Sequence, residues 1–492
     1  MNDSDLHLTA EQACALDVFL KKEALTIEAC AGAGKTTLLR TMAEHAAGRG
    51  LYLAYNAHTA RDARGSFPDT AEVRTPHSIA YEHFGRARRQ RLTGKLPGAK
   101  ERKEVWGAAP FGSDFGRITS WQVMHLGLNA VEAFCQSVDQ QLGVEHVVIP
   151  QTVLYELSPD ERTLADLNDA ILHVAKKIWE TANDLQADTP VTHDMVLKMW
   201  ALTNPVLDAD YVLFDEAQDA NPVIVNLLKH QSAQIVTVGD SAQQLYGWRG
   251  AVDALASFDG VRQTLTQSFR FGQAIADEAN HWLSHLGDDR RIRGTNKRSS
   301  VWRDHDSHRV PDAFICRTNA GMVRQMLTLQ AEGVDVSIVG EAKTRGILRM
   351  AEVSEQLTSR HFTTDTDFAS FKDWDEVVAF ANTPECPPDI AGQVQLVQQF
   401  GSDTMRRAVK RASQLPAEQA QCVLTTCHQA KGRQWRHVRI ADDFTEALEP
   451  GVRKKAASEE FMVAYVAVTR AQRHLDARAI AGERGNSHSP EV

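Results

Sequence analysis

The chain has 492 residues, 43% hydrophobic and 24% charged, with a formal net charge of −10. That length holds roughly two to four domains, and the acidic balance excludes a polycation, so any contact with nucleic acid has to come from local basic surfaces. Seven cysteines without a C-x-x-C pair argue against a zinc ribbon or a disulfide framework, and neither a signal peptide nor a run of eighteen apolar residues occurs, so a reducing cytoplasm and no membrane partner are expected.

Residues 8–12 open a helix with Thr9 as N-cap. Gln12 is either a surface residue of that helix or an amide able to read both edges of an adenine. Next, 24–27 are apolar, 29–37 read ACAGAGKTT, and 38–47 lack both Gly and Pro, which predicts strand, loop and helix. The loop fits a phosphate-binding loop built from Ala29, Cys30, Ala31, Gly32, Ala33, Gly34, Lys35, Thr36 and Thr37. Small residues let backbone N–H groups turn toward a polyphosphate, and the helix N-terminus adds its positive field. Lys35 would reach the β- and γ-phosphates of ATP, and the Thr36 hydroxyl would bind Mg²⁺. Ala29 departs from the usual first glycine, and the structural alternative is a Gly/Ala-rich turn between core elements.

A strand over 51–55 leads into a helix opened by Asn56, and a short strand over 71–74 leads into Thr75-Pro76-His77-Ser78. Polar groups at such strand ends are where open α/β sheets bind ligands. The run 85–105 is densely basic (Arg86, Arg88, Arg89, Arg91, Lys95, Lys100, Arg102, Lys103). It reads either as a solvated face or as a contact for nucleic acid. From 106 to 202 the apolar spacing becomes helical.

The apolar run 211–214 ends in DEAQD. Two carboxylates at the end of a buried strand are costly unless a cation or water uses them. Asp215 suits Mg²⁺ and Glu216 suits a general base for an attacking water. A strand over 234–238 leads to Gln243, Gln244, Tyr246, Trp248 and Arg249, of which Trp248 is either packing or a surface for a base. LTQSFR at 265–270 follows. Strands over 313–316, 336–339, 423–426 and 438–441 predict a second α/β unit. A second basic cluster holds Arg290, Arg291, Arg293, Lys297, Arg298 and Arg303. A helix over 461–473 would put Arg470 near its end.

The set ACAGAGKTT, VLFDEAQD, VGDSAQQLYGWRGA, QSFR, TTCHQAKGRQW and AYVAVTRA resembles the UvrD/Rep/PcrA family of superfamily one DNA helicases. The doubled glutamine and YNAHTARDA are similar to its F-box DNA helicase branch. The resemblance implies an α/β fold of two RecA-like P-loop NTPase lobes, parallel sheets with flanking helices, each carrying a mostly helical insertion. It places the first lobe at 1–84 and 206–270 with its insertion at 85–205, and the second lobe at 271–347 and 415–481 with a small insertion at 348–414. A tail covers 482–492. By motif, Gln12 and Phe269 match the adenine contacts, Gln243 the γ-phosphate sensor, and Arg270 and Arg470 two arginine fingers. Lys35, Asp215 and Glu216 complete the catalytic set, and Gly432 and Gln434 approach the nucleotide from the second lobe. Asn56, Thr75, His77, Tyr246, Trp248, Arg249, Thr426 and His428 match strand-contacting positions.

The implied activity is an ATP- and Mg²⁺-dependent 3′→5′ motor on single-stranded DNA that unwinds duplex as a monomer, in repair, recombination or replication. Two alternatives stay open: a translocase that strips proteins or serves phage defence, and an ATP-switched DNA-binding module with low turnover. Some positions depart from the family. Cys30 stands where Gly is usual, tolerable if its φ stays negative. Pro76 replaces a base-stacking Phe, and Gln434 replaces Glu. The separation hairpin expected between Asp442 and Ser458 is short, and the chain's end soon after Arg470 argues against a fused nuclease.

Overall fold

The computed structural model describes residues 8–54, 56–93, 106–111, 118–157, 160–245, 253–303, 309–339, 344–365, 367–369, 371–383, 386, 388–444 and 454–483. Tyr246, Trp248, Arg249, the lysines at 95, 100 and 103, Arg102, and most of the expected hairpin and tail lie outside the described residues.

The early strands are β1 Leu25–Ala29, β2 Gly50–Leu53, β3 Ala71–Arg74, β4 Leu92–Thr93, β5 Val191–Thr192, β6 Tyr211–Phe214, β7 Gln234–Gly239 and β8 Val261–Leu265. After them come β9 Gln267–Gly272, β10 Arg293–Thr295, β11 Ser300–Trp302, β12 Ala313–Cys316, β13 Val336–Ile338, β14 Cys422–Thr426, β15 Trp435–Ile440 and β16 Ala471–Asp476. Two sheets of six strands result, in the orders β3-β2-β6-β7-β1-β8 and β11-β16-β15-β12-β14-β13. Every pairing in both is parallel. This is the α/β layout of two RecA-like lobes. Strands of such sheets are covered on both faces and so read as unbroken apolar runs, as in the fully buried YVLF of β6 and AFIC of β12.

Between β3 and β6 the chain is mainly helical, with Ser120–Cys135 packed on Glu161–Asn183. The second of these buries Leu167, Ile171, Val174, Ala175, Ile178 and Ala182, one stripe at helical spacing. Asp160 caps its start, and its last carbonyls are capped by arginines from the basic run. Arg88 donates to the carbonyls of Ala182 (3.1 Å) and Asn183 (2.9 Å), and Arg91 to those of Thr181 (2.7 Å) and Asp184 (2.6 Å). Those two arginines therefore serve as structural donors. A helix leaves its final C=O groups without intrahelical partners, and a guanidinium fork satisfies several at once.

Between β13 and β14 lie the helices Thr344–Arg360, Trp374–Ala381, Pro388–Phe400 and Ser402–Gln414. Their core, with Met350, Leu357, Phe380 and Val394, is continuous with Phe314 and Leu424 of the second sheet. The two sheets meet through another apolar cluster, in which Cys30, Ala31 and Ala242 pack with Ile315, Val438 and Tyr465. Among the described residues no helix is long and apolar enough to cross a membrane.

One element differs from expectation. The helix expected over 461–473 is Lys454–Val468, and β16 begins at Ala471, so Arg470 sits in the turn between them. Thr469 Oγ1 and Arg470 Nε both donate to the Val466 carbonyl, at 2.9 Å each. These side chains satisfy the last turn where the helix stops.

Candidate active site

The carboxyl ends of β1, β6 and β7, neighbours in the first sheet, carry the phosphate loop, Asp215-Glu216 and Asp240-Gln243. The loop depends on two left-handed glycines, Gly32 (φ 77°) and Gly34 (φ 78°), and Gly34 caps the helix Lys35–His45. A Cβ on Gly32 would lie 2.6 Å from Ser268 Oγ and 2.7 Å from Arg270 Cβ, so the loop is pressed against β9. Cys30 is buried and keeps a negative φ, so the loop accommodates it where glycine is usual. Thr36 is exposed at the helix start.

Lys35 Nζ lies 3.4 Å from Glu216 Oε1. Burial pulls the lysine's pKa down, but Glu216 and then Asp215 outweigh it and hold the ammonium firmly charged. Asp215 is buried and accepts from Tyr52 Oη (2.7 Å) and from the Glu216 N–H (2.9 Å). Burial, reinforced by Glu216, pushes its carboxyl up to about 6. In Glu216, burial is outweighed by Lys35 and then Lys431, which hold the carboxyl well below its ordinary range. Glu216 also has left-handed backbone (φ 55°, ψ 41°), a strain of about 1–3 kcal/mol typical of functional positions. A buried carboxylate raised by its surroundings, with an exposed hydroxyl at a helix N-terminus, is a donor set that suits a hard divalent cation such as Mg²⁺.

The second sheet closes this site with cations. Arg470, 1% exposed, donates from Nη2 to Gln243 Oε1 (3.2 Å). Arg270 donates to the Thr469 carbonyl (2.8 Å). Burial, and then Arg470, lowers the Arg270 pKa from its ordinary value. Lys431 bonds Asp219 and the Gln243 carbonyl and stands 4.0 Å from Glu216 Oε2. Gln12 is buried, its Oε1 accepting from the Thr9 N–H (3.0 Å) and its Nε2 donating to the Ala33 carbonyl (3.2 Å). A Cβ on Gly34 would lie 3.1 Å from Gln12 Nε2 and 3.5 Å from the Phe269 ring, which is 46% exposed. Gln12, the loop and Phe269 are therefore adjacent. Gly432 (φ 80°) and Gln434 are exposed beyond Lys431.

Among the strand-facing candidates, Asn56 caps the helix Ala57–Ala63 after β2. Thr75 is buried and spends its hydroxyl on the cap of Pro76–Ala80 after β3. His77 Nε2 lies 2.7 Å from Asp194 Oδ1. Thr426, also buried, ends β14 in the second sheet, and His428 lies on the short helix that follows it.

The second basic cluster divides: Arg291, Arg293, Lys297 and Arg298 are exposed, whereas Arg290 and Arg303 are drawn inward. Arg290 is held inside by Glu28 (3.0 Å), Asp240 (3.2 Å) and Asp288; Arg293 pairs with Glu11 (2.9 Å) and Arg303 with Glu278. Sequence reasoning missed this use, along with Lys431, Tyr465 and Gln218. Gln218 ties the two acidic motifs together, donating to Glu216 (2.6 Å) and accepting from the Asp240 N–H (3.1 Å). Carboxylates right at the strand ends, Glu28 of β1 and Asp240 just after β7, could have signalled a cation partner. Their spacing does not say which arginine supplies it.

Residues 12–249 match the AAA domain family. The chain is 26% identical to F-box DNA helicase protein 1 of Schizosaccharomyces pombe over 95% of its own length and 57% of the relative's. It is also 26% identical to F-box DNA helicase 1 of Gallus gallus, over 96% of its length and 49% of that protein's. A shorter stretch, 15% of this chain and 11% of the relative, is 38% identical to ATP-dependent DNA helicase PcrA of Leuconostoc citreum. The chain thus spans about half the length of the two F-box helicases it matches.

Proposed function

From its resemblance to the UvrD/Rep/PcrA helicases and their F-box branch, we propose that this chain is an ATP-driven motor that moves 3′→5′ along single-stranded DNA and unwinds duplex. The observation that carries the proposal is the convergence of Lys35, Glu216 and Gln243 of the first sheet with Arg470 and Lys431 of the second. A simple ATP-binding domain has no use for cations delivered by a second sheet.

In the proposed reaction a water attacks the γ-phosphorus, the bond to the bridging oxygen of ADP breaks, and Glu216 takes the water's proton. Glu216 is a weak base while Lys35 pairs with it; drawing Lys35 onto the phosphates frees the carboxylate and raises its basicity. Arg270 and Arg470 neutralise charge that builds on the transferred group. When bound, Mg²⁺ held by Thr36 and Asp215 supplies charge neutralisation on the phosphate oxygens. Asn56, His77, Thr426 and His428, with Tyr246, Trp248 and Arg249, are assigned to the DNA strand. We assign 1–84 and 206–270 to the ATP-binding lobe, 271–347 and 415–481 to the second, and 85–205 and 348–414 to their insertions. The protein would act as a monomer in repair, recombination or replication.

ATP turnover with and without single-stranded DNA, followed by unwinding of 3′-tailed and 5′-tailed duplexes, tests the reading. DNA-stimulated turnover with unwinding of the 3′-tailed substrate is expected. Turnover that ignores DNA would overturn it. The compact four-helix segment between β13 and β14 favours a second reading, translocation with little strand separation. Stimulated turnover without strand displacement would select that one.

A further inference from the structure

Tyr465 is fully buried on the helix Lys454–Val468 of the second sheet, yet its hydroxyl is hydrogen-bonded, among the described residues, to first-sheet groups. It accepts from the Ala31 N–H of the phosphate loop (3.3 Å) and donates to Asp240 Oδ2 (2.9 Å). The same Oδ2 accepts from Gln243 Nε2 (2.6 Å), and Asp240 Oδ1 faces Arg290 (3.2 Å). Gln243 Oε1 in turn faces Arg470. One carboxylate therefore fixes the Gln243 amide, and a phenol from the opposite sheet fixes that carboxylate and the loop together.

The ring packs in the apolar cluster with Ala31 and Ala242, a duty that phenylalanine would perform equally well. The hydroxyl is the part that packing does not require. Burial and the neighbouring Asp240 keep it protonated, so it stays a donor.

Resting on the ATPase reading above, we propose that Tyr465 is a positioning residue for ATP turnover. Its hydroxyl holds residues 29–36 and the Asp240–Gln243 pair in one arrangement, so the glutamine is aligned on the γ-phosphate only while the two sheets are in contact. Lobe contact and phosphate sensing are thereby linked through one side chain.

The test is Tyr465→Phe, which removes one oxygen and keeps the ring. Misplacing a sensing group by a fraction of an ångström is expected to lower DNA-stimulated kcat by about 10- to 100-fold. Affinity for single-stranded DNA should stay close to wild type, the thermal midpoint should fall only modestly, and any rise in KM for ATP should be small beside the fall in kcat. Asp240→Asn, which also weakens the contact with Arg290, should produce at least as large a loss, and the double variant should be no worse than that single one, because Tyr465 acts through Asp240. Hydrogen exchange across 29–36 should rise in Tyr465→Phe, since the Ala31 N–H loses its acceptor. A wild-type kcat, losses that multiply, or unchanged exchange across the loop would each overturn the proposal. A wild-type protein without ATP turnover would overturn the ATPase reading instead, while exchange across the loop would still report on the Tyr465 link.

Discussion

Lys35 is held charged by its carboxylate neighbours, whereas Asp215 is buried against its own ionisation. Lys35 sits against Glu216, and its expected partner otherwise is phosphate alone. Lys35→Ala should abolish ATP turnover and leave most binding to single-stranded DNA in place; near-wild-type turnover in that variant would remove the motor reading altogether. Asp215 is a buried carboxyl whose pKa is raised, to about 6, by burial and by Glu216. The sign of its linkage follows. A carboxyl raised in the folded state favours folding when protonated, so its ionised form costs stability at neutral pH. Asp215→Asn should therefore stabilise the protein near pH 7.5, by on the order of 1–2 kcal/mol, while turnover is lost. The gain should shrink as pH falls from about 6 toward the ordinary carboxylate range, where wild-type Asp215 becomes neutral. An asparagine retains both contacts, since its oxygen can face the Glu216 N–H and the Tyr52 hydroxyl can accept as well as donate. Urea unfolding at several pH values measures this, and a destabilised Asn variant at pH 7.5 would contradict it.

At the scale of elements, the arginines of the basic run divide by burial. Arg88 is 6% exposed and occupied by the carbonyls of Phe84, Ala182 and Asn183, whereas the Arg86 side chain is 71% exposed. Arg88→Ala should cost about 1–3 kcal/mol in urea unfolding by leaving buried carbonyls unmet. It should not change the salt slope of DNA binding, which moves by roughly one unit for each lost phosphate contact. A reduced slope at unchanged stability would return Arg88 to the DNA surface. This division also marks what could be read in the chain. The phosphate loop, the buried strands and the acid pair were legible because their chemistry is local: small residues before Lys35, an apolar run before Asp215. Arg88 capping a helix almost a hundred residues later, and Arg290 buried beside Glu28, depend on tertiary placement that a run of like charges does not encode. The end of the helix at Val468 was hidden for a related reason. The apolar stretch 463–468 passes into β16 with only Thr469 and Arg470 between, and the helix is stopped by hydrogen bonds from those two side chains.

At the scale of the molecule, polar contacts across the cleft include Arg470 to Gln243, Tyr465 to Asp240 and the Ala31 N–H, Lys431 to Asp219 and the Gln243 carbonyl, and Arg270 to the Thr469 carbonyl. Each such bond contributes about 1 kcal/mol net, or somewhat more where a charge takes part. Arg470 is the member best placed to feel the reacting group, since its Nη2 rests on the glutamine assigned to the γ-phosphate. Among the described residues its hydrogen bonds go to Val466, Arg433, Gln243 and Thr469 rather than to Gln12 or Phe269, so it should contribute little to holding the nucleotide. Arg470→Ala should therefore lower DNA-stimulated kcat steeply, bounded by the factor of about 10³–10⁵ that finger arginines supply elsewhere, with KM for ATP changed far less. Because Arg470 is buried and also donates to the Val466 carbonyl, the thermal midpoint has to be measured alongside. Arg470→Lys, which keeps the charge without the planar fork, separates the two duties. A fold-preserving Lys variant with kcat still strongly reduced supports the finger role. An unchanged kcat with a raised KM would show that Arg470 binds nucleotide instead of acting on the transition state.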